Sequence, residues 1–155
     1  ADVAVAPNGD IFVVDGHGNN RVVKFNKDGE FLMSWGEAGE GPGQFNEPHC
    51  LAFDSQGRLF VGDRVNERIQ VFDQNGRYLA EWNGIMASGM DITEDDVIYV
   101  ADYQLRLGIV IANASDFSEI GFIENAMPEG VTVDRMGNVY AGEVLPRNLK
   151  KFMRN

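Results

Sequence analysis

The chain contains two histidines, His17 and His49, and each lies in a setting that could serve chemistry. His49 follows Pro48 directly before the apolar segment CLAF, and His17 lies between Gly16 and Gly18. An imidazole can accept a proton or bind a metal ion near neutral pH. The formal net charge of −11 favours cationic ligands and metal ions, and it would repel a phosphate backbone. We therefore expect a site that handles cations or protons, and no nucleic-acid partner.

Four segments of the chain follow one pattern, and these segments must position the histidines. Their starts are 48, 39 and 41 residues apart, at Val3, Leu51, Met90 and Val131. Each reads as an alternating strand, a turn and a second alternating strand, and the first two repeats continue with two further strands (21–35 and 68–82). Repeats of this length without helical periodicity predict an all-β fold, a β-propeller of four-stranded antiparallel blades.

The 155 residues are expected to form a single partial propeller of about four blades. The predicted blades are approximately 1–40, 41–87, 88–126 and 127–155, and the last one lacks its outer strand. The abrupt start, without methionine or a signal peptide, indicates a chain that begins after processing or within a larger protein. Blade faces left open at the two ends predict self-association into a homo-oligomer.

The location of the protein stays open at this stage, with secretion or the periplasm among the alternatives. The single cysteine, Cys50, excludes an internal disulfide, and its place on an alternating strand predicts a small buried residue. No apolar run approaches membrane-spanning length, so no membrane partner is expected.

One position in each repeat is expected to face the central channel. It lies two residues before the repeat start, at the mouth of the innermost strand, and it is filled by Ala1, His49, Ser88 and Glu129. We predict that Ser88, together with Met127 near Glu129, lines a substrate channel.

A second recurring position carries a carboxylate, 12 residues after each repeat start: Asp15, Asp63, Asp102 and Glu143. Recurrence in every repeat indicates a structural role, in which the carboxylate accepts hydrogen bonds from the backbone or from arginine. Arg21 and Arg68 are the expected partners, and Trp35 and Trp82 are expected to be aromatic residues that pack the blades.

Several motifs resemble the NHL repeat: GPGQF at 41–45, Pro48-His49, DRVN at 63–66 and RIQVFD at 68–73. The resemblance covers nearly the whole chain. Within the NHL proteins, the sequence is similar to the peptidyl-α-hydroxyglycine α-amidating lyases, their bacterial relatives in particular. This resemblance implies a six-bladed propeller, of which the chain would form the final four blades. It also implies a zinc ion in the channel, bound by three histidines from alternate blades.

The resemblance assigns a role to several residues. It makes His49 a zinc ligand and places a second ligand at Glu129, where the family has histidine; zinc sites with two histidines and one glutamate do occur. It places the third ligand upstream of Ala1. The catalytic tyrosine of the family falls at His17, whose imidazole could accept a hydroxyl proton. The calcium-binding aspartate of the family falls at Gly130, which has no side chain to bind calcium.

Two functions follow as alternatives. The first is a metal-dependent lyase that cleaves the N–C bond of a small peptidyl-α-hydroxyglycine to give an amide and glyoxylate, with His17 as the catalytic residue. The second is a non-catalytic propeller that binds a ligand or a protein partner. On this second view, His49 is a channel imidazole bonded to a neighbouring blade, Glu129 is a hydrated carboxylate, and His17 is an exposed loop residue.

Overall fold

A computed structural model describes residues 2–154 of the chain, and all regular structure in them is β. The first blade contains β1 (Asp2–Val5), β2 (Ile11–Asp15), β3 (Arg21–Phe25) and β4 (Phe31–Trp35). The second contains β5 (Pro48–Phe53), β6 (Leu59–Asp63), β7 (Arg68–Phe72) and β8 (Tyr78–Asn83). The third contains β9 (Ala87–Ile92), β10 (Val97–Asp102), β11 (Gly108–Asn113) and β12 (Glu119–Ile123). The fourth contains β13 (Pro128–Val133), β14 (Val139–Glu143) and β15 (Asn148–Phe152).

Each blade is one antiparallel sheet whose strands follow in chain order. Blades 1 to 3 have four strands, and blade 4 has three within the described residues, which confirms the predicted propeller architecture. The first strands of neighbouring blades adjoin one another. No helix in residues 2–154 has the length and apolar character to cross a membrane. A ring of six blades remains a prediction.

The turn between β9 and β10 shows why one repeat can do without glycine. Asp96 stands where Gly57 stands in blade 2, and both have a positive φ, 59° and 75°. A left-handed conformation is unfavourable for a residue with a side chain. The Asp96 carboxylate is held there by Ser55 of blade 2, whose amide and hydroxyl donate to it at 2.8 and 2.6 Å.

The apolar core lies between the blades, in three layers. Blades 1 and 2 enclose a cluster that includes Phe12, Leu59 and Phe72, with Trp35 packed against it. Blades 2 and 3 enclose a second cluster around Phe60 and Ile98, with Cys50 buried in it and Trp82 at its edge. The third layer, between blades 3 and 4, is the smallest. The expected packing of Cys50 and the two tryptophans is confirmed.

The recurring carboxylates serve the structure, as predicted. Asp63 accepts from the Asn46 amide at 2.7 Å and from the Arg68 guanidinium at 2.8 Å, and its side chain is fully buried. Asp15 accepts from Arg21 at 3.0 Å. The Asn46 bond fixes the loop before blade 2 to the end of its second strand, and the Asp15–Arg21 pair joins the second and third strands of blade 1.

Candidate functional site

The candidate site lies where the innermost strands of blades 2, 3 and 4 begin. His49, Ser88 and Glu129 each occupy the second position of such a strand, in β5, β9 and β13. At all three positions the pairing with the next strand shifts by one residue, as in a β-bulge. A bulge releases a residue from the ladder and re-aims its side chain, and bulges recur beside active sites. The repeated bulge thus presents three equivalent residues at one place.

The hydrogen bonds of His49 determine which of its ring nitrogens is free. Nδ1 lies 2.6 Å from the carbonyl oxygen of Ser88 in blade 3. A carbonyl oxygen only accepts, so Nδ1 must carry the proton, and in the neutral ring Nε2 then has a free lone pair. Burial lowers the pKa of His49, aided by the positive charge of Arg64, although the bond to Ser88 and the charge of Glu129 act in the opposite direction. These effects favour the neutral ring at neutral pH.

Glu129 faces that free nitrogen from blade 4. Its Oε1 lies 3.6 Å from Nε2 of His49 and 3.2 Å from Nη1 of Arg64. The other terminal nitrogen of Arg64 donates to the Glu47 carboxylate. Arg64 therefore lies between two carboxylates and neutralises part of their charge.

His17 reaches the same place from the β2–β3 turn of blade 1. Its Nδ1 lies 3.4 Å from Oε1 of Glu47, and its ring meets the His49 ring edge-on with 5.5 Å between centroids. Gly16 permits this approach, because a Cβ there would lie only 2.0 Å from the Pro48 carbonyl oxygen. The structure thus brings His17, His49 and Glu129 together, while His17 keeps 60% of its side chain exposed.

Ser88 and Met127 are the remaining residues that were predicted to line the site. The Ser88 side chain is buried, and its hydroxyl has no hydrogen-bond partner within residues 2–154. Met127 is half-buried directly before β13, and its amide donates to Glu143 at 2.6 Å. A channel role for both side chains stays a prediction. Ala1, the fourth equivalent position, lies outside the described residues.

The described residues contain a pair of candidate metal ligands, His49 and Glu129. No three His, Cys, Asp or Glu side chains within residues 2–154 are arranged to hold a metal ion. The Nε2 of His49 and the carboxylate of Glu129 are the pair whose distance and free lone pairs suit a shared cation.

The sequence did not point to two residues of the cluster, Glu47 and Arg64, as site residues. Arg64 directly follows the recurring carboxylate Asp63, where the other repeats have Gly16, Tyr103 and Val144, so a charge unique to blade 2 was the available signal. Glu47 precedes Pro48, and its φ of 59° has no signature in the sequence. A strained non-glycine residue of this kind is frequent at functional sites.

Comparison with known proteins agrees with this architecture. The NHL repeat profile matches residues 1–25 and 45–72. NHL repeat-containing protein 3 of Homo sapiens is 38% identical over 170 residues, 99% of this chain and 49% of that protein. The peptidyl-glycine alpha-amidating monooxygenase of Mus musculus is 48% identical over 173 residues, 97% of this chain and 18% of that protein.

A third relative carries the name of the lyase. The probable peptidyl-alpha-hydroxyglycine alpha-amidating lyase of Caenorhabditis elegans is 38% identical over 95 residues, 59% of this chain and 26% of that protein. Among solved structures, the virginiamycin B lyase of Staphylococcus aureus superposes with a TM-score of 0.73 at 18% identity, over 99% of this chain and 55% of that one, a likeness of fold alone.

The chain spans about half the length of the human and mouse NHL repeat-containing relatives. The sequence repeats, the bladed structure and the similar proteins all indicate an NHL-repeat propeller. Similarity to the bacterial lyases in particular remains a prediction. The chain belongs to the NHL-repeat β-propellers and is related to the peptidyl-α-hydroxyglycine α-amidating lyases and amidating monooxygenases.

Proposed function

We propose that the cluster at the start of the inner strands is a lyase-type site for peptides that end in α-hydroxyglycine. The observation that carries the proposal is the convergence of His17, His49 and Glu129 from three blades, with 5.5 Å between the two rings and 3.6 Å between His49 and Glu129. The relationship to the amidating enzymes supports the choice of substrate class.

His49 and Glu129 are the residues that would hold a zinc ion. Their donor atoms are 3.6 Å apart, close to the spacing of about 3.3 Å between two ligands on one tetrahedral zinc. The bond from Nδ1 of His49 to Ser88 resembles the outer bond that orients most metal-binding histidines. A bound zinc ion would lower the pKa of the substrate hydroxyl.

His17 is the residue suited to move the proton. The Glu47 carboxylate lies beside Nδ1, which leaves Nε2 of His17 free to accept the proton of the α-hydroxyl group. As the hydroxyl oxygen forms the carbonyl of glyoxylate, the C–N bond breaks and its electron pair goes to the amide nitrogen. The protonated His17 then returns the proton to that nitrogen, so the products are the peptide amide and glyoxylate.

Arg64 and Glu47 would act as positioning residues. Arg64 is bonded to both Glu47 and Glu129, and through them it holds His17 and the Glu129 carboxylate in fixed places. Because the Arg64 side chain is mostly buried, these ion pairs are screened less than pairs on the surface.

A second function, a binding propeller without catalysis, is favoured by one specific observation. Arg64 already balances the charges of Glu47 and Glu129, as it would in a channel that needs no metal ion. On this view the exposed His17 would contact a ligand or a protein partner.

Glyoxylate release tests the proposed reaction. The wild type, supplied with zinc, is incubated with a synthetic N-acyl-tripeptide ending in α-hydroxyglycine, and glyoxylate is measured against the spontaneous rate. We expect catalysis in the wild type and a decrease of about 100-fold in kcat for His17→Ala, since general acid–base catalysis contributes at least that much.

Two further variants make this test specific. Glu129→Gln should lose activity, whereas Glu81→Gln should retain it, although both carboxylates are 29% exposed and both pair with an arginine. Glyoxylate release no faster than the spontaneous rate in the wild type would reject the lyase and leave the binding function.

A further inference from the structure

The end of blade 3 that adjoins the candidate site is apolar, whereas the same end of blade 2 is charged. In blade 2, Glu47 directly precedes the inner strand and Arg64 directly follows the second strand, and the two are paired within the site. The residues at these two positions of blade 3 are Met86 and Tyr103, both half-buried. The candidate site therefore has a charged side on blade 2 and an apolar side on blade 3.

The β10–β11 loop, residues 103–107, enlarges the apolar side. It begins where β10 ends, beside the start of β9, so it lies at the same end of blade 3 as Ser88. Leu105 and Leu107 of this loop are 45% and 46% exposed. None of the exposed large apolar residues lies in the turns at the opposite end of blades 2 and 3, which are residues 54–58, 73–77, 93–96 and 114–118. Large apolar side chains exposed at one end only, next to a polar site, indicate an interaction surface.

Hydrogen bonds to a buried carboxylate hold this loop in place. Asp102 is fully buried and accepts from the Leu105 amide at 2.9 Å. The equivalent carboxylate of blade 2, Asp63, pairs instead with Arg68, whose position in blade 3 is filled by Gly108. The blade 3 carboxylate thus binds the loop backbone where the blade 2 carboxylate binds an arginine side chain. A surface that is ordered before binding loses less conformational entropy when a ligand binds.

Leu107 adopts a backbone conformation that is unfavourable for leucine. Its φ is 53°, and Glu67 and Arg147 at the equivalent positions of blades 2 and 4 have φ values of 53° and 54°. The left-handed region is costly for a residue with a side chain, and an exposed leucine recovers little of that cost through burial. A residue kept in such a conformation supports a functional role for its side chain.

The residues around the site indicate what would lie on this apolar side. Blade 3 places only the small, buried side chain of Ser88 at its inner position, between His49 of blade 2 and Glu129 of blade 4, so a bound peptide can extend over blade 3. The carboxylates of Glu47 and Glu129, together with the net charge of −11, disfavour an acidic side chain there. The loop instead offers apolar contacts.

We propose that Met86, Tyr103, Leu105 and Leu107 form a subsite for one large apolar side chain, that of the residue directly before the α-hydroxyglycine of the substrate peptide. The inference rests on the proposed lyase function and adds a substrate preference to it. Methionine adapts to apolar side chains of different shape, so leucine, methionine and phenylalanine should all be accepted. Glutamine and glutamate should be disfavoured, because their polar groups would lose water without gaining a hydrogen bond.

Binding of two peptide amides, which are products of the proposed reaction, tests the subsite without turnover. The amides Ser-Gly-Ser-Leu-NH₂ and Ser-Gly-Ser-Gln-NH₂ carry the same fluorophore at the N-terminus, and fluorescence anisotropy gives their Kd values. We expect the wild type to bind the leucine amide about 10-fold or more tightly than the glutamine amide. Leu105→Gln and Leu107→Asn should reduce this ratio to about threefold or less, and asparagine tolerates the left-handed conformation.

Met136→Gln is the matched control, because Met136 is 74% exposed in the β13–β14 turn at the opposite end of the propeller. This variant should keep the wild-type ratio. All three substituted side chains are exposed, so the variants should fold, and circular dichroism verifies it.

Glyoxylate release from the two corresponding hydroxyglycine peptides separates the subsite from the proposed reaction. The same preference is expected in kcat/KM. Preferential binding of the leucine amide without glyoxylate release would reject the lyase and support the subsite. Equal affinities of the wild type for the two amides, or a preference that survives both leucine substitutions, would overturn the subsite even when glyoxylate is released. Failure to bind either amide at millimolar concentration would overturn it as well.

Discussion

Blade 2 and blade 4 are built from the same repeat, yet they differ in how completely their residues are buried. Every residue of β6 and β7 is buried in blade 2. In blade 4 the middle strand β14 alternates between buried and half-buried residues, and β15 is largely exposed. Blade 2 has a neighbour on each side within the described chain, whereas blade 4 has one. The number of neighbouring blades, rather than the repeat sequence, therefore determines how much of a blade is buried.

The recurring carboxylate shows the same difference. In blade 2, Asp63 pairs with Arg68, which also bonds to Glu81 and to two backbone carbonyl oxygens. In blade 4, Asn148 stands at the arginine position, and Glu143 pairs instead with Lys150 at 3.0 Å. The candidate site joins these two environments, since His49 belongs to blade 2 and Glu129 to blade 4.

The largest expected effect comes from emptying the core of blade 2. Phe72 is fully buried and contacts Trp35, Phe45 and Tyr78, so Phe72→Ala should lower the free energy of unfolding by about 3–5 kcal/mol. The equivalent Phe152→Ala, at a half-buried position of β15, should lower the free energy of unfolding by less than half of that. Urea unfolding measures both, and equal losses would contradict the comparison.

Removing the basic partner of each carboxylate should have the next largest effect. Arg68→Met leaves Asp63 buried without its charged partner and should lower the free energy of unfolding by about 3 kcal/mol. Lys150→Met should lower it by about 1 kcal/mol or less, because the Lys150 side chain is 36% exposed. The two variants are compared by urea unfolding at one pH. A greater loss of unfolding free energy for Lys150→Met than for Arg68→Met would contradict the comparison between blades 2 and 4.

The smallest expected effect lies in the β13–β14 turn of blade 4 and depends on pH. The Asn138 side chain donates to Asp134, and this bond, with further bonds from backbone amides and Tyr140, lowers the pKa of Asp134 from 3.8 to about 2. A lowered folded-state pKa adds stability that is complete above pH 3.8 and is lost as the pH falls through about 2.

Asp134→Asn should therefore flatten the fall in the urea midpoint between pH 4 and pH 2. Asp28→Asn, in an exposed turn of blade 1, serves as the control and should leave that fall unchanged. An identical pH profile in wild type and Asp134→Asn would contradict the assigned role of this carboxylate.

The sequence predicted the architecture because the repeat is explicit in it. The spacing of Asp15, Asp63, Asp102 and Glu143 located the blades, and the equivalent positions of His49, Ser88 and Glu129 located the start of the inner strands. The bulges at these positions could not be predicted from the sequence, because a bulge depends on pairing with the next strand.

The contacts around Arg64 could not be derived from sequence either. Arg64 and Glu129 are 65 residues apart, and their approach depends on how blades 2, 3 and 4 curve around the axis. The same holds for His17, whose place beside Glu47 depends on the close fit of Gly16 against Pro48. Residue types indicated which side chains could take part in chemistry, whereas the packing of the blades determines which of them lie together.

Zinc binding by His49 and Glu129 is the most direct test of the central proposal, that these bulged residues of blades 2 and 4 hold one metal ion. Zinc affinity is measured by competition with a chromophoric chelator for the wild type, His49→Ala, Glu129→Gln and the matched control Glu81→Gln. We expect the wild type and Glu81→Gln to bind one zinc ion per chain, and the affinity of His49→Ala and Glu129→Gln to be at least 10-fold lower. Equal affinity in all four proteins, or no zinc bound by the wild type, would contradict the claim.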